Sequence, residues 1–315
     1  MAEDSKRDGR KPSDAEVHRR RRLIAALVSG GAITLAIVLL AVTAGSAGSW
    51  DPQGLQDGAR SELPKLRLEA QAREAERQIA LRKAEQAAED RAIQEIIRQN
   101  PLMTRGGSAR KEVALTFDDG PSRYTDQILD ILGRYKAKGT FFILGNQING
   151  FPLQLQRTLA EGHALGNHSW NHADFTTLST GDLRGQLEDV NGTLAAKGAP
   201  KINLFRPPYG AYDPKVTGEV GRKGMLTVLW DVDTNDYKQP APEQMAADVV
   251  SQAQAGSVIL MHDGGGPREN TVAALPLIIK GLRKKGFEMV TVPQLLLDNP
   301  PSPEEQVDVQ RTPVA

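Results

Sequence analysis

The 315-residue chain contains no cysteine. That absence excludes disulfides, thiolate nucleophiles and cysteine-ligated metal, so a folded domain here depends on its core and on any metal held by other side chains. Lys+Arg and Asp+Glu stand at 39 each, and with no excess of positive charge there is no reason to propose nucleic acid as a partner. Charge is also missing locally: no ionisable residue lies between Leu23 and Ala44. At about 1.5 Å per helical residue, that run can cross a hydrocarbon core of roughly 30 Å. Arg19, Arg20, Arg21 and Arg22 abut its start, whereas no Lys or Arg follows it before Arg60. Positive-inside bias then places the amino terminus in the cytoplasm and everything after Trp50 outside the cell membrane, on a single-pass anchor. Ala44-Gly45-Ser46-Ala47 would suit a leader peptidase. The apolar run, however, exceeds the about 7–15 residues of a signal-peptide core, which favours retention over cleavage.

The remaining organisation follows from composition. Residues 1–22 form a basic cytoplasmic tail, 23–45 the transmembrane helix, 46–107 a linker and helical stalk, 108–299 a globular domain, and 300–315 a Pro- and acid-rich tail expected to be disordered. The stalk is predicted to be helical from about Pro64 to Gln99, with Leu68, Ala72, Ala75 and Ile79 in 4-3-4 spacing. Arg82, Gln86 and Glu89 continue that series where a coiled-coil seam would want Leu or Ile, leaving only Ile93, Ile96 and Ile97 as a patch for a weak dimer.

From Lys111 to Leu297 short apolar runs alternate with amphipathic stretches. Strands are predicted at Val113–Phe117, Thr140–Leu144, His163–Asn167, Asn203–Arg206, Leu226–Trp230, Ser257–Met261 and Phe287–Thr291, with helices between them. Strict alternation implies a parallel sheet, and about seven strand–helix units suit a small, deformed (β/α) barrel better than a doubly wound sheet. No Gly-rich phosphate loop follows the first strand, and Asp118-Asp119 at that place would repel a phosphate.

In such a barrel the strand ends converge on one face and bring distant residues into one pocket. Asp118 and Asp119 follow strand one, His168 and His172 strand three, Arg206 and Tyr209 strand four, Asp231, Asp233 and Asp236 strand five, and His262 and Asp263 strand six. Two imidazoles four residues apart suit a shared transition metal. They are not the zinc-protease motif, because Ser169 stands where that motif has its general base. One carboxylate of the Asp118-Asp119 pair can complete a His-His-Asp site while the other accepts a proton, which gives the two repelling acids different tasks. Arg206 can hold the basic carboxylate ionised. The alternating acids from Asp231 resemble a calcium loop, but Asp236 replaces its sixth-position Gly and Pro242 its final Glu. One of these acids is better used to orient His262 and raise its basicity. His163 lies within a predicted strand and reads as a core residue.

Five motifs carry a resemblance: Thr116-Phe117-Asp118-Asp119, His168-Ser169-x-x-His172, Arg206-Pro207-Pro208-Tyr209, Asp233-x-x-Asp236-Tyr237 and Leu260-Met261-His262. Together, in this order, they resemble the polysaccharide deacetylases, the NodB-homology domain of carbohydrate esterase family four, over roughly Ala109 to Leu297. The resemblance implies a deformed (β/α) barrel, a divalent metal with Zn²⁺ the usual ion, and removal of acetyl groups from N-acetylated sugars in peptidoglycan or chitin-like polymers, of which the predicted membrane anchor favours peptidoglycan. It implies Asp118 as general base, Asp119, His168 and His172 as metal ligands, and His262 as general acid. It further implies Arg206 as the tether of Asp118, Asp233 as the tuner of His262, and the Tyr209 N–H as an oxyanion donor. Tyr237 stands where the family commonly has Trp, which alters the groove wall and not the chemistry. The alternatives are O-acetyl ester hydrolysis on a polymer such as xylan, action on chitin oligosaccharides, and a wall-binding module without turnover.

Overall fold

A computed structural model describes residues 52–302, 304 and 305, with side chains from residue 67 onward. The sequence-predicted basic tail and transmembrane run lie outside the described residues, and among these no helix is long and apolar enough to cross a membrane. The chain divides into two units, Met1–Ala75 and Glu76–Ala315.

Helix α1 (Pro52–Gln99) leads to strand β1 (Leu102–Met103) and then β2 (Glu112–Gly120). After it come α2 (Thr125–Arg134), β3 (Gly139–Ile143), α3 (Pro152–Ala160), β4 (Ala164–Asn167), α4 (Thr180–Ala196), β5 (Leu204–Phe205), α5 (Pro214–Arg222) and β6 (Leu226–Val228). The domain ends with β7 (Val232–Asp233), α6 (Pro242–Gln252), β8 (Val258–His262), α7 (Glu269–Lys284), β9 (Glu288–Val290) and α8 (Val292–Asp298). Every strand pairing is parallel, in the order β1-β6-β5-β4-β3-β2-β8-β7, with β9 also joined to β2. The expected parallel α/β architecture is therefore present as a nine-stranded sheet whose path does not close between β1 and β7 among the described residues.

Sequence chemistry sets these elements locally. All nine residues of β2 are buried, as a central parallel strand covered by helices requires. Helix α2 turns Ile128, Leu129, Ile131 and Leu132 inward, and Phe117 of β2 stacks on Phe141 of β3 at 4.9 Å. Ser179 caps α4 by accepting from the Asp182 N–H, Asp213 caps α5 by accepting from the Val216 N–H, and Thr291 caps α8 by accepting from the Gln294 N–H. Strands β1 and β7, at two residues each, carry no readable alternation, and α8 was hidden because Pro293 breaks an apolar run. Proline is tolerated in a helix's first turn, where the N–H it lacks has no helical partner anyway.

Three expectations are corrected. The isoleucine patch of α1 is not free for dimerisation: Ile93 and Ile96 are buried among Val258, Val292, Leu295 and Leu296 of the same chain. Gln94 Nε2 donates to the Gly224 carbonyl at 2.9 Å and Asn203 Nδ2 to Asp90 Oδ1 at 2.7 Å, so this end of the predicted stalk is part of the domain's packing. Helix α1 also begins well before Pro64, at Pro52. The start of the predicted tail contacts the domain, since Glu305 accepts from the Ser108 N–H at 3.1 Å and from the Ser302 N–H at 2.8 Å.

Candidate active site

Asp118 and Asp119 do not follow β2 but form its last turnings: the register against β3 slips between Asp118 and Gly120, and Asp119 takes a left-handed backbone with φ of 71°. Both carboxylates still reach His168 Nε2, Asp118 Oδ2 at 3.7 Å and Asp119 Oδ1 at 3.5 Å. Gly120 must lack a side chain, since a Cβ there would lie 2.2 Å from Asp263 Oδ2.

Asp118 faces Arg206, which follows β5 and is fully buried. Arg206 Nη1 donates to Asp118 Oδ1 at 2.8 Å and to Thr116 Oγ1 at 2.8 Å, Nε donates to the Val228 carbonyl at 3.1 Å and Nη2 to the Leu229 carbonyl at 3.0 Å. Its guanidinium carbon lies 4.1 Å from the centre of the Phe142 ring. Burial pushes the Asp118 carboxyl above its ordinary range, against the opposing charges of Arg206 and His262. A carboxylate held by one oxygen and destabilised by burial is a stronger base than a free one.

Asp119 belongs to a second group. Its Oδ1 lies 3.5 Å from His168 Nε2 and 3.4 Å from His172 Nε2, and it is buried without a hydrogen-bond partner among the described residues. One ligand atom from each of Asp119, His168 and His172 falls within 4.8 Å of the others. His168 Nδ1 donates to the Arg206 carbonyl at 2.8 Å, which fixes the tautomer and leaves Nε2 as the acceptor. Burial, together with the neighbouring His172 and Arg206, pushes the His168 imidazole down to about 3, so it is neutral. An orphaned carboxylate oxygen facing two imidazoles, one of them fixed as a neutral acceptor, fits a divalent cation.

The same rim holds more positive-φ residues: Ser169 at 74°, His172 at 61° and Tyr209 at 61°. Non-glycine residues in such conformations cost about 1–3 kcal/mol each and persist where surroundings over-determine them. Here the Ser169 N–H donates to Asn167 Oδ1 at 2.8 Å and the His172 N–H to Ser169 Oγ at 2.9 Å. The Tyr209 ring packs edgewise on His172 at 4.5 Å and is 71% exposed.

Beside Asp118 in the parallel register stands His262, at the end of β8. Its partner is Asp236 and not Asp233, which corrects the sequence-based assignment. Asp236 Oδ1 meets His262 Nδ1 at 2.7 Å, while Oδ2 accepts from the His262 N–H at 2.8 Å and from Thr271 Oγ1 at 2.8 Å. Asp233 instead accepts from the Asn235 N–H at 2.7 Å, and Asp231 accepts from Ser257 Oγ and the Val258 N–H. The left-handed Asn235 turns the chain so that the later acid reaches the histidine. Burial alone would lower the His262 imidazole, but the Asp236 hydrogen bond and charge, with Asp118 and Asp119, hold it up at about 9. It is a protonated acid at neutral pH. Chemistry that needs that proton declines as pH rises through about 9. In Asp236→Asn the high-pH limb of kcat/KM is expected to move down by about 1–3 units, since an adjacent opposite charge is worth that much. Asp233→Asn should move it far less, and equal shifts in the two pH profiles would reject this pairing.

These groups surround one cavity of about 470 Å³, lined among others by Asp118, Asp119, His168, His172, Tyr209, Asp233, Tyr237 and His262. Arg206 lies behind Asp118, outside the lining. Tyr237 is half-exposed, its ring 6.3 Å from that of His262. His163 lies apart, its Nδ1 accepting from the Gly139 N–H at 3.1 Å and its imidazole lowered to about 4 by burial. Sequence reasoning missed Arg268, Trp230 and Gly265 in the wall, and Thr271 behind Asp236. It named Asp263 only by position. That carboxyl is fully buried, donated to by Thr125 Oγ1, and raised to about 7 by burial and by the charges of Asp119 and Asp118. No motif spacing marks these residues.

The model of the family described as polysaccharide deacetylase matches residues 105–228. A peptidoglycan-N-acetylglucosamine deacetylase of Bacillus cereus is 40% identical over 189 residues, covering 59% of this chain and 88% of that protein. The peptidoglycan-N-acetylmuramic acid deacetylase PdaC of Bacillus subtilis is 38% identical over 187 residues, which span 59% of this chain and only 39% of that longer protein. Among solved structures, the Bc1960 peptidoglycan N-acetylglucosamine deacetylase superposes with a TM-score of 0.61 at 34% identity, covering 62% of this chain and 92% of that one.

Proposed function

The chain belongs to the polysaccharide deacetylase family, and from that premise we propose that it removes N-acetyl groups from the aminosugars of peptidoglycan, releasing acetate. The observation that carries this reading is the division of labour across one cavity. One ligand atom from each of Asp119, His168 and His172 lies close to the others, as a cation site requires, while Asp118 paired with Arg206 and His262 paired with Asp236 are placed to serve as base and acid.

Asp119, His168 and His172 would hold a divalent ion, proposed to be zinc, which would supply Lewis-acid activation of water and of the acetyl carbonyl. The protein's own groups do the rest. Asp118, with Oδ1 engaged by Arg206, takes the proton of the attacking water at Oδ2. The Tyr209 N–H donates to the carbonyl oxygen as it becomes an oxyanion. His262, whose Nδ1 faces Asp236, delivers a proton from Nε2 to the amide nitrogen as the C–N bond breaks, so the sugar leaves as an amine. A departing amine needs this proton far more than a departing alcohol does, which makes a strong, buried acid at His262 better suited to amides than to O-acetyl esters.

The uncharged run at residues 23–45 supports a further part of the reading: a membrane-anchored enzyme with its catalytic domain outside the cell, facing wall polymer. One experiment covers both parts. Full-length protein and residues 46–315 are expressed in cells, separated into membrane and soluble fractions, and assayed for acetate release from peptidoglycan and chitin oligomers, with and without a chelator. The expected result is chelator-sensitive release, faster on peptidoglycan, in the membrane fraction for the full chain and in the soluble fraction for the shorter one. Chelator-resistant release would remove the metal from the proposal, preference for chitin would replace the substrate, and a soluble full chain would remove the anchor.

A further inference from the structure

Arg268 is a buried cation whose place in the reaction is not given by any of the five sequence motifs. It immediately precedes α7, is 4% exposed, and lines the active-site cavity. Among the described residues no carboxylate lies within ion-pair distance of it. Two of its guanidinium nitrogens bond the main chain: Nε donates to the Gly264 carbonyl at 2.8 Å and Nη1 to the Pro267 carbonyl at 2.9 Å. Both carbonyls belong to the loop that links β8 to α7.

That loop is wedged against Asp119. A Cβ on Gly264 would lie 2.2 Å from the Asp119 carbonyl oxygen, and one on Gly265 would lie 2.2 Å from Asp119 Oδ2. Gly265 also has a φ of 71°, a conformation that disfavours any side chain. The glycine ridge thus touches the backbone and one carboxylate oxygen of Asp119, while the other oxygen faces His168 and His172. Asp119 itself holds a left-handed backbone, which only close surroundings maintain.

We propose that Arg268 is a positioning residue which clamps the Gly264–Gly265 ridge against Asp119 and so aims Asp119 Oδ1 at the cation site. A guanidinium suits this task because its planar fork reaches two carbonyls at once, whereas an ammonium is a point donor. The inference rests on the assignment of Asp119, His168 and His172 as metal ligands, and its test separates the two.

Full-length protein and the variants Arg268→Lys and Arg268→Ala are stripped of metal and titrated with zinc against a competing chelator, and the melting of each metal-free protein is recorded alongside. Partners outside the ligand set typically change metal affinity by about 10–100-fold. Arg268→Ala is expected to weaken zinc binding within that range, and Arg268→Lys by a smaller factor. If Arg268→Ala does not fold, the lysine variant decides. Gly265→Ala, which drives a methyl toward Asp119 Oδ2 with Arg268 intact, is expected to weaken zinc binding by a similar factor. Its combination with Arg268→Lys should be less than multiplicative, since both loosen one contact.

Zinc affinity within twofold of the parent in both arginine variants overturns the proposal. If KM for glycan then rises, Arg268 touches substrate instead. A melting loss in Arg268→Lys without an affinity loss makes the residue merely structural and equally overturns it. A parent protein that takes up no zinc at all rejects the ligand assignment itself, and the positioning role with it.

Discussion

Replacing Asp118 by Asn is expected to lower kcat for acetate release by about 10²–10⁴, the usual contribution of a positioned general base, while zinc content stays at the parent level. Asparagine keeps the shape, and its carbonyl can still accept from Arg206 Nη1, so the geometry of the wall survives. What disappears is the basic oxygen. The proposed ligand group is a different set, Asp119, His168 and His172, which is why metal loading and turnover should part company in this variant. Parallel loss of both would move Asp118 into the ligand set, and full activity would reject it as base. The substitution also leaves the buried Arg206 guanidinium without its counter-charge, so some loss of melting temperature should accompany the kinetic effect.

Arg206→Met should have the largest effect on stability. The guanidinium is fully buried and serves four acceptors: Asp118 Oδ1, Thr116 Oγ1 and the Val228 and Leu229 carbonyls. Methionine fills the volume but donates nothing. Removing one partner of a buried ion pair typically costs about 3–5 kcal/mol, because the remaining charge stays desolvated. Denaturant unfolding at neutral pH should show that loss as a lower midpoint with an unchanged slope. Below neutrality the effect on activity grows. Burial already holds Asp118 above its ordinary range, and without Arg206 it rises further, so the low-pH limb of kcat/KM moves to higher pH. A stability loss under about 1 kcal/mol would mean that the pair is no better than an exposed one. Arg206→Lys should fall between, since an ammonium cannot span four acceptors arranged around a planar group.

The long elements were legible because their physics is local. Apolar residues at helical spacing marked α2, and apolar runs bounded by turn residues marked the longer strands such as β2 and β8. Strands β1 and β7 exist only because partners stand beside them, and two residues have no period of their own. Helix α1 shows the opposite limit. Its charged composition read as a free stalk with a spare isoleucine patch, yet Ile93 and Ile96 are consumed by packing on residues nearly 200 positions later, a long-range contact that local pattern does not encode.

At the site the same boundary recurs. The sequence by itself determined which side chains were available: no thiol, a pair of adjacent acids, two histidines four apart, and one arginine and one further histidine placed at strand ends, a set suited to acid–base chemistry around a metal. Tertiary structure decided how equivalent-looking groups were divided. Of Asp231, Asp233 and Asp236, only the last reaches His262, because the left-handed Asn235 redirects the chain after β7. Asp118 and Asp119 differ in their partners where the register slips at the end of β2: Asp118 Oδ1 takes the buried guanidinium while its Oδ2 lies 3.7 Å from His168 Nε2, and Asp119 Oδ1 alone faces both imidazoles. Proton affinity and ligand geometry depend on burial and on neighbours within a few ångströms. Those neighbours come from strands far apart in the chain, so only the folded sheet could assign them.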